Sequence, residues 1–448
     1  MYQSPYFFLL ESSLGGPQGQ YTIAAWDPVE IYRFNGGPGE ADPFAFLGNN
    51  TPCPPLTLRG GIPRLPFNGG WIGYLGYELY NLLESKIPSR QSRLIPAAVF
   101  ARYENFYVYD HFEKKGWTVG ATPRGCPLFA ATATHEPGGH VGPPLRQGPR
   151  DIQSNFTRLE YIAAVQKIKR YIAAGDVYQV NLSQRWTTST TRSSYDLYQQ
   201  LRQTSPAPYA AYLNLGEAQI ISASPECFLH VGAPLGAPPD DRRDRAQHPP
   251  EADQPLVGAA PLQVTTRPIK GTRPRGNTPE ADARFKEELY TSAKDRAELL
   301  MIVDLERNDL GKVCQTGSVQ VATPVAQVES YPQVHHLVAT VQGTLREDCS
   351  IEDVLRATFP GGSITGAPKV RAMQIIRELE PTAREVYTGA IGFVDQAGQA
   401  HFNVAIRTLV VKDGFVHWWA GGGIVADSDP EQEYEETLVK AKGIVESL

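Results

Sequence analysis

Cysteine is scarce in this sequence: five residues in 448, Cys53, Cys126, Cys227, Cys314 and Cys349. They form no CxxC pair and no cluster with histidine, which excludes a disulfide framework and a cysteine-rich zinc module. Scattered thiols of this kind suit a reducing compartment, so the expected location is the cytoplasm. No stretch approaches the roughly 18 consecutive apolar residues of a membrane-spanning helix. The opening MYQSPYFFLLESS lacks the basic start of a secretory signal, and Glu11 cuts its short apolar run. Positive charge is not in excess either. With 42 basic against 48 acidic side chains, a formal charge of −6 and a pI near 5.9, neither a general nucleic-acid binder nor a polybasic membrane binder is expected. Internal repeats of roughly 20–50 residues are absent as well.

Length predicts two to three domains and a core large enough to need no metal or disulfide to fold. Gly and Pro together supply about one residue in six, a sign of many turns or of an irregular segment. Two stretches concentrate them. Residues 121–150 read as a linker between an N-terminal region, 1–145, and a second region, 152–448. Residues 233–262 combine seven prolines with the charge run DDRRDR and read as a mobile insertion.

After the linker, Thr157 and Glu160 form a capping box ahead of an apolar stripe, Leu159, Ile162, Val165, Ile168 and Ile172, that stops at Gly175. VYQVNLSQR then alternates: Tyr178, Val180 and Leu182 on one face, Gln179, Asn181, Ser183 and Arg185 on the other. Such a polar face borders water or a polar cavity. Further strands (AQIISAS, HHLVATVQG, HFNVAIRTLVV, FVHWWAGG) and helices near 280–303, 367–380 and 430–447 predict an α+β fold with large antiparallel sheets.

Several residues have chemical potential. Lys270, in TRPIKGTRPRG, lies between an extended Pro-Ile and a Gly-Thr turn; held in a cleft, a lysine loses its proton and becomes a nucleophile, although most loop lysines are simply solvated. Asp295 with Glu298, and Glu433 with Glu436, lie three apart on two helices, with Lys440 one turn beyond. Four carboxylates without His or Cys suit a hard ion such as Mg²⁺, or else two solvated helix faces. FPGGSITGAPKV carries Ser363 and Thr365 into a helix start able to bind an anion. AGGGIVADSDP, with Gly422 and Gly423, allows close approach of backbone to a ligand or is a plain tight turn. Glu226 follows Pro225 at a strand interruption, where a half-buried carboxyl would serve as a general acid. Arg407 shares a face with Asn403, and His336 opens a β-branched run; singly, each also has a structural reading. Together they suit a small polycarboxylate substrate.

At this point the sequence resembles the chorismate-utilising enzymes, on the side of aminodeoxychorismate synthase component I. The likeness runs through LLESS (9–13), PFNGGWIGYLGYE (66–78), GDVYQVNLSQR (175–185), SPECFL (224–229), PIKGT (268–272), KDRAELLMIVDLERNDLG (294–311), HLVATVQG (336–343), PGGSITGAPKVRAM (360–373), GAIGF (389–393), AIRT (405–408) and AGGGIVADSDPEQEYEETLVKA (420–441). It implies two large antiparallel sheets packed together with helices outside. It also implies chorismate as substrate, Mg²⁺ on Glu298 and Glu436 supported by Glu433 and Asp295, Lys270 as covalent nucleophile and Glu226 as acid. Ser363, Arg407, Gly422, Gly423, Lys440 and Gln179 match substrate-binding positions, and His336 a histidine near the ring. Isochorismate- and salicylate-forming relatives carry a lysine base where this chain has Gln179, and anthranilate synthases have Ala where Lys270 stands. The resemblance therefore implies amination at C4 in p-aminobenzoate and folate synthesis. No cysteine sits in a Gly-x-Cys-x-Gly elbow, so a separate glutamine amidotransferase subunit is expected to supply ammonia. Leu10, Glu11 and Ser12 with Pro208 and Tyr209 resemble a tryptophan pocket. Departures are Cys227 where Arg is common and the length of 233–262. An anthranilate synthase component I and a non-catalytic tryptophan-binding subunit remain the alternatives.

Overall fold

The computed structural model describes residues 2–14, 20–36, 40, 42–48, 65–91, 94–120, 151–232, 261–322 and 324–448. The 121–150 segment, nearly all of 233–262, Cys53 and Cys126 lie outside the described residues.

Two large antiparallel sheets dominate. The first runs in the order Gly366–Ala367, Gln179–Ser189, Phe415–Ile424, Thr408–Lys412, Ala218–Ser224, Tyr209–Asn214, Phe8–Glu11, Tyr21–Ala25, Phe106–Asp110, Lys115–Val119, with Gln153–Ser154 paired beside Gln179–Ser189. The second runs Gln320–Val321, Val341–Thr344, Gln263–Arg267, Cys227–Gly232, Ala400–Val404, Ala390–Asp395, Gly70–Leu75, Ala98–Tyr103, Glu30–Phe34. Strands from both sides of the 121–150 segment enter both sheets. A smaller sheet joins Ile269–Pro274, Val334–Val338 and Gln327–Ser330.

Alternation along the strands builds the layers. Phe8, Ile220 and Val410 of the first sheet meet Ile72, Val99 and Ile391 of the second in a core between the sheets. Their neighbours Leu9, Ile221 and Leu409 point the other way, onto helices Ser194–Thr204 and Pro430–Ser447 through Leu197, Leu201 and Ile444. On the far side of the second sheet, Leu229, Val264 and Phe402 pack with Leu299, Val303, Leu355 and Ile376 from three more helices. The expected α+β arrangement of packed sheets with outer helices is what the chain forms.

Helix Arg158–Ala173 starts at the capping box: Glu160 N–H donates to Thr157 Oγ1 at 3.3 Å, and Thr157 N–H donates to Glu160 Oε2 at 2.8 Å. Ile162, Val165 and Ile168 are buried, but Leu159 is 75% exposed, because it lies on the side of the helix away from Tyr161, Ala164, Val165 and Ile168. The single helix expected over 280–303 is two, Pro279–Thr291 and Ala293–Gly311, since the Ser292 hydroxyl accepts from Asp295 N–H and starts the second. HHLVATVQG is likewise two strands in two sheets, and so is HFNVAIRTLVV. Arg407, at φ +49°, stands in that second break, so it shares no strand with Asn403. Among the described residues no helix is long and apolar enough to cross a membrane.

Candidate active site

The chain crosses between the two large sheets twice at one place. Ala218–Ser224 passes through Pro225 and Glu226 into Cys227–Gly232, and Ala400–Val404 passes through Arg407 into Thr408–Lys412. Val404 N–H donates to the Glu226 carbonyl at 3.0 Å, Ala223 N–H to the Arg407 carbonyl at 3.1 Å, and the Ser224 hydroxyl to the Val404 carbonyl at 2.6 Å. Backbone that leaves a sheet must find such partners, and here they bind the two crossings to each other. Glu226 and Arg407 are thereby fixed as neighbours of the same seam.

Glu226 is buried. Burial pushes its carboxyl up to about 7; the Ser363 hydroxyl, the Lys270 charge and the Ile269 N–H pull against that rise. Lys270 lies on Ile269–Pro274, where a bulge at Gly271 shifts the register between Lys270 and Thr272. Gly271 has φ +74°, and a Cβ there would stand 2.8 Å from Asp295 Cγ, so only glycine fits. Lys270 Nζ donates to the Ser363 carbonyl at 3.2 Å. Burial lowers the lysine's pKa, Glu298 and Glu226 oppose the fall, and Lys440 adds to it.

The carboxylates come from two helices. Glu298 projects from Ala293–Gly311, and burial raises its pKa against the opposing charges of Lys270 and Lys294. Glu433 Oε1 accepts from Ser428 Oγ at 2.5 Å. Its pKa is also raised, chiefly by burial. Glu436 feels burial too, but the charge of Lys440 outweighs it and the net shift is downward; the two pair at 2.6 Å. A Cβ on Gly422 would sit 3.1 Å from Glu433 Oε2 and 3.5 Å from Glu436 Oε1. The missing side chain thus leaves a small space faced by two carboxylates. Among the described residues no group of three or more His, Cys, Asp or Glu side chains is placed to hold a metal ion by itself. The oxygen-only donors and the space at Gly422 would suit a hard divalent ion. Asp295 is engaged elsewhere, with Arg273 at 3.0 Å.

Around this centre, Gln179 is fully buried, and neither its Nε2 nor its Oε1 has a hydrogen-bond partner among the described residues; Asn181 Oδ1 also has none. Buried amides are rarely left so, which makes this strand face a candidate for ligand contact. A Cβ on Gly423 would meet Gln179 Nε2 at 2.2 Å, so the glycine makes room for the amide. His336 Nδ1 shares a 3.0 Å hydrogen bond with Thr272 Oγ1. Burial, helped by the Arg407 charge, pushes the imidazole down to about 3, so it is neutral. The Arg407 guanidinium is depressed by burial alone. Lys440 Nζ donates to the Gly421 carbonyl at 3.0 Å.

A separate cavity of about 550 Å³ opens between the large sheets, lined by Leu10, Glu11, Pro208, Tyr209, Arg267 and His401 among others. Glu11 is bonded there by the Tyr198 hydroxyl and the Arg202 guanidinium. Ser12 turns away, its hydroxyl donating to the Leu14 carbonyl at 2.6 Å.

The model of the chorismate binding enzyme family matches residues 10–234 and 259–446. The chain belongs to the chorismate-binding enzymes. The gap in that match falls inside 233–262. Anthranilate synthase component 1 of Synechocystis is 37% identical over 99% of this chain and 91% of its own length. Aminodeoxychorismate synthase component 1 of Bacillus subtilis is 36% identical over 98% and 91%. The crystal structure of anthranilate synthase component I from Streptococcus pneumoniae superposes with a TM-score of 0.75 at 31% identity, covering 96% of this chain and 93% of that one. Like its relatives, this chorismate-binding chain is a chorismate-utilising enzyme.

Reading the sequence left three parts of the site unmarked. Thr272, the partner of His336, is visible only through the bulge at Gly271. Glu306 is a buried carboxyl bonded by the Thr266 hydroxyl, on a helix whose spacing signals only a solvated acidic residue. Arg384 and Glu380 form a fully buried ion pair, and their i, i+4 spacing looks like any exposed pair.

Proposed function

We propose that this enzyme aminates chorismate at C4, giving 4-amino-4-deoxychorismate for p-aminobenzoate and folate synthesis in the cytoplasm. The reading rests on one observation above all, the primary amine of Lys270 held against the Ser363 carbonyl beside Glu226. In the scheme, the neutral amine of Lys270 bonds to C2 as both double bonds of the ring diene shift and the C4–O bond breaks. Glu226 gives its proton to the departing hydroxyl, which leaves as water. Ammonia then bonds to C4, both double bonds shift back, and the C2–N bond breaks to return Lys270 as the neutral amine, while the proton shed by the new C4 amine restores Glu226. A carboxyl at about 7 is poised for that proton transfer. Glu298 and Glu436, supported by Glu433, would hold Mg²⁺, whose charge neutralises a substrate carboxylate. Arg407, Lys440, Ser363 and the Gln179 amide would orient the remaining polar groups, and neutral His336 would lie against the ring. Ammonia would come from a glutamine amidotransferase component, with free ammonium as substitute.

The relatives named anthranilate synthase favour a second reading, conversion of chorismate to anthranilate and pyruvate, because they are as similar as the aminodeoxychorismate synthases. The cavity beside Leu10, Glu11, Pro208 and Tyr209 also suits a tryptophan-sized ligand. Mass spectrometry of the product from purified chain, chorismate, Mg²⁺ and ammonium separates the readings. Aminodeoxychorismate is expected; anthranilate with pyruvate would overturn the proposal, and tight tryptophan binding without Mg²⁺-dependent turnover would point to a regulatory subunit.

A further inference from the structure

Arg384 is 1% exposed and uses all five of its N–H donors. Nε donates to Glu380 Oε2 at 2.9 Å and Nη2 to Glu380 Oε1 at 2.7 Å. Nη2 also donates to the Asn181 carbonyl at 2.8 Å, and Nη1 to the Ile364 carbonyl at 3.1 Å and Thr388 Oγ1 at 3.2 Å. The guanidinium lies 4.7 Å from the Tyr77 ring centroid. Glu380 Oε1 accepts in addition from Ser183 N–H and Ser183 Oγ, both at 2.8 Å.

The Glu380 carboxylate neutralises the buried charge, and the remaining N–H groups of the guanidinium must also find acceptors for burial to be tolerated. The other contacts go to two pieces of backbone that carry the site. Ile364 follows Ser363 in the turn Gly362–Ile364, whose carbonyl at Ser363 receives Lys270 Nζ and whose hydroxyl serves Glu226. Asn181 lies on the strand that presents the unpartnered Gln179 amide. Within the turn, Thr365 N–H donates to the Gly362 carbonyl at 3.3 Å and the Thr365 hydroxyl to the Gly361 and Gly362 carbonyls at 3.0 and 3.3 Å. Just beyond it, Asn181 N–H donates to the Thr365 carbonyl at 2.8 Å and Gly366–Ala367 pairs with the Gln179 strand, so the Ile364 carbonyl is the point at which Arg384 adds its hold. The clamp is anchored from behind. Glu78 accepts from Arg384 N–H and Glu385 N–H, both at 2.9 Å. A planar fork can hold two carbonyls and a carboxylate in fixed directions at once, which an ammonium cannot.

We propose that Arg384 is a positioning residue for the reaction: from behind the site it fixes the Ser363 turn against the Gln179 strand, and so sets where Lys270 and Glu226 stand. The inference rests on the roles given above to those two residues. It predicts an effect on the chemical step, because misplacement of reacting groups by about 1 Å costs up to about a hundredfold in rate.

The test compares Arg384→Lys and Arg384→Gln with Thr388→Val, which removes one clamp contact without touching the two carbonyls. Turnover is scored as chorismate consumed, so the comparison holds whichever product forms, and product identity is read separately. Labelling of Lys270 by an amine-reactive reagent, followed on peptic peptides, gives a readout that needs no turnover. The Arg384 variants should lose about tenfold or more in kcat with KM for chorismate within about twofold, and Lys270 should label several-fold faster. Thr388→Val should lower Tm with neither change. Equal effects of Arg384→Lys and Thr388→Val on kcat and labelling would overturn the proposal. So would a change confined to KM. Failure of both Arg384 variants to fold would overturn it too, since the residue would then be a requirement of folding.

Discussion

Lys270 Nζ and the Ser363 carbonyl stand 3.2 Å apart, and the hydroxyl of that serine bonds Glu226. One residue therefore touches both the amine and the acid of the proposed reaction, through different atoms. Ser363→Ala should separate the two functions. The backbone contact to Lys270 survives, while Glu226 loses a donor that favours its charged form, so its pKa rises above about 7. The falling limb of kcat against pH should move to higher pH, with a modest loss of rate on the acid side. A limb that stays in place would show that the hydroxyl does not tune the acid.

Glu226→Gln should keep the fold, since the amide is nearly isosteric, but leave nothing to protonate the C4 hydroxyl. A loss of about 10²–10⁴ in kcat is expected, along with disappearance of the limb near pH 7. The protonated form is the active one, so wild-type kcat should fall as pH rises through about 7. A Gln variant that retains that limb would assign it to another group.

Much of the frame was legible beforehand because its signals are local. The Thr157–Glu160 box and the helix expected over 430–447, which forms as Pro430–Ser447, declare themselves within a few residues. What escaped was set by distant pairing. Arg407 reads as part of a strand until the positive φ shows a crossing between sheets. HHLVATVQG reads as one strand because nothing local says that Val338 and Val341 bond different sheets. Lys270, Glu226 and Glu298 were individually ambiguous; the resemblance grouped them, and only the seam between sheets gives that grouping a geometry. Arg384 was invisible, because burial is not written in a charged residue.

The two glycines at the end of Phe415–Ile424 make separate demands. Gly423→Ala would put a Cβ 2.2 Å from Gln179 Nε2, so the amide must leave its place, and chorismate KM should rise at least about tenfold. Gly422→Ala is milder. Its Cβ would crowd Glu433 Oε2 at 3.1 Å and Glu436 Oε1 at 3.5 Å. The expected outcome is a several-fold higher Mg²⁺ concentration for half-maximal turnover at saturating chorismate. Turnover that persists undiminished in excess chelator, in the wild type, would remove the metal from the account.

Stability should carry the mark of Glu306. Its carboxyl is buried, accepts from the Thr266 hydroxyl, and is pushed by burial from 4.5 up to about 8. The folded state thus keeps its proton where the unfolded chain has lost it. Between those two values the native protein binds more protons than the unfolded one, so stability falls as pH rises from about 4.5 to about 8 and is flat on either side. The contribution is on the order of 3 kcal/mol by pH 7. Glu78, raised in the same way to about 8, adds a similar slope. Glu306→Gln removes one of these titrations, leaving those of Glu78 and Glu226 in place, while its amide oxygen can still accept from Thr266. Denaturant midpoints at pH 5, 6, 7 and 8 should decline less steeply in the variant, with the two proteins closest at pH 5. Parallel curves would mean that Glu306 is ionised in the folded protein, and that the charge of Lys369, which opposes the rise, outweighs the burial.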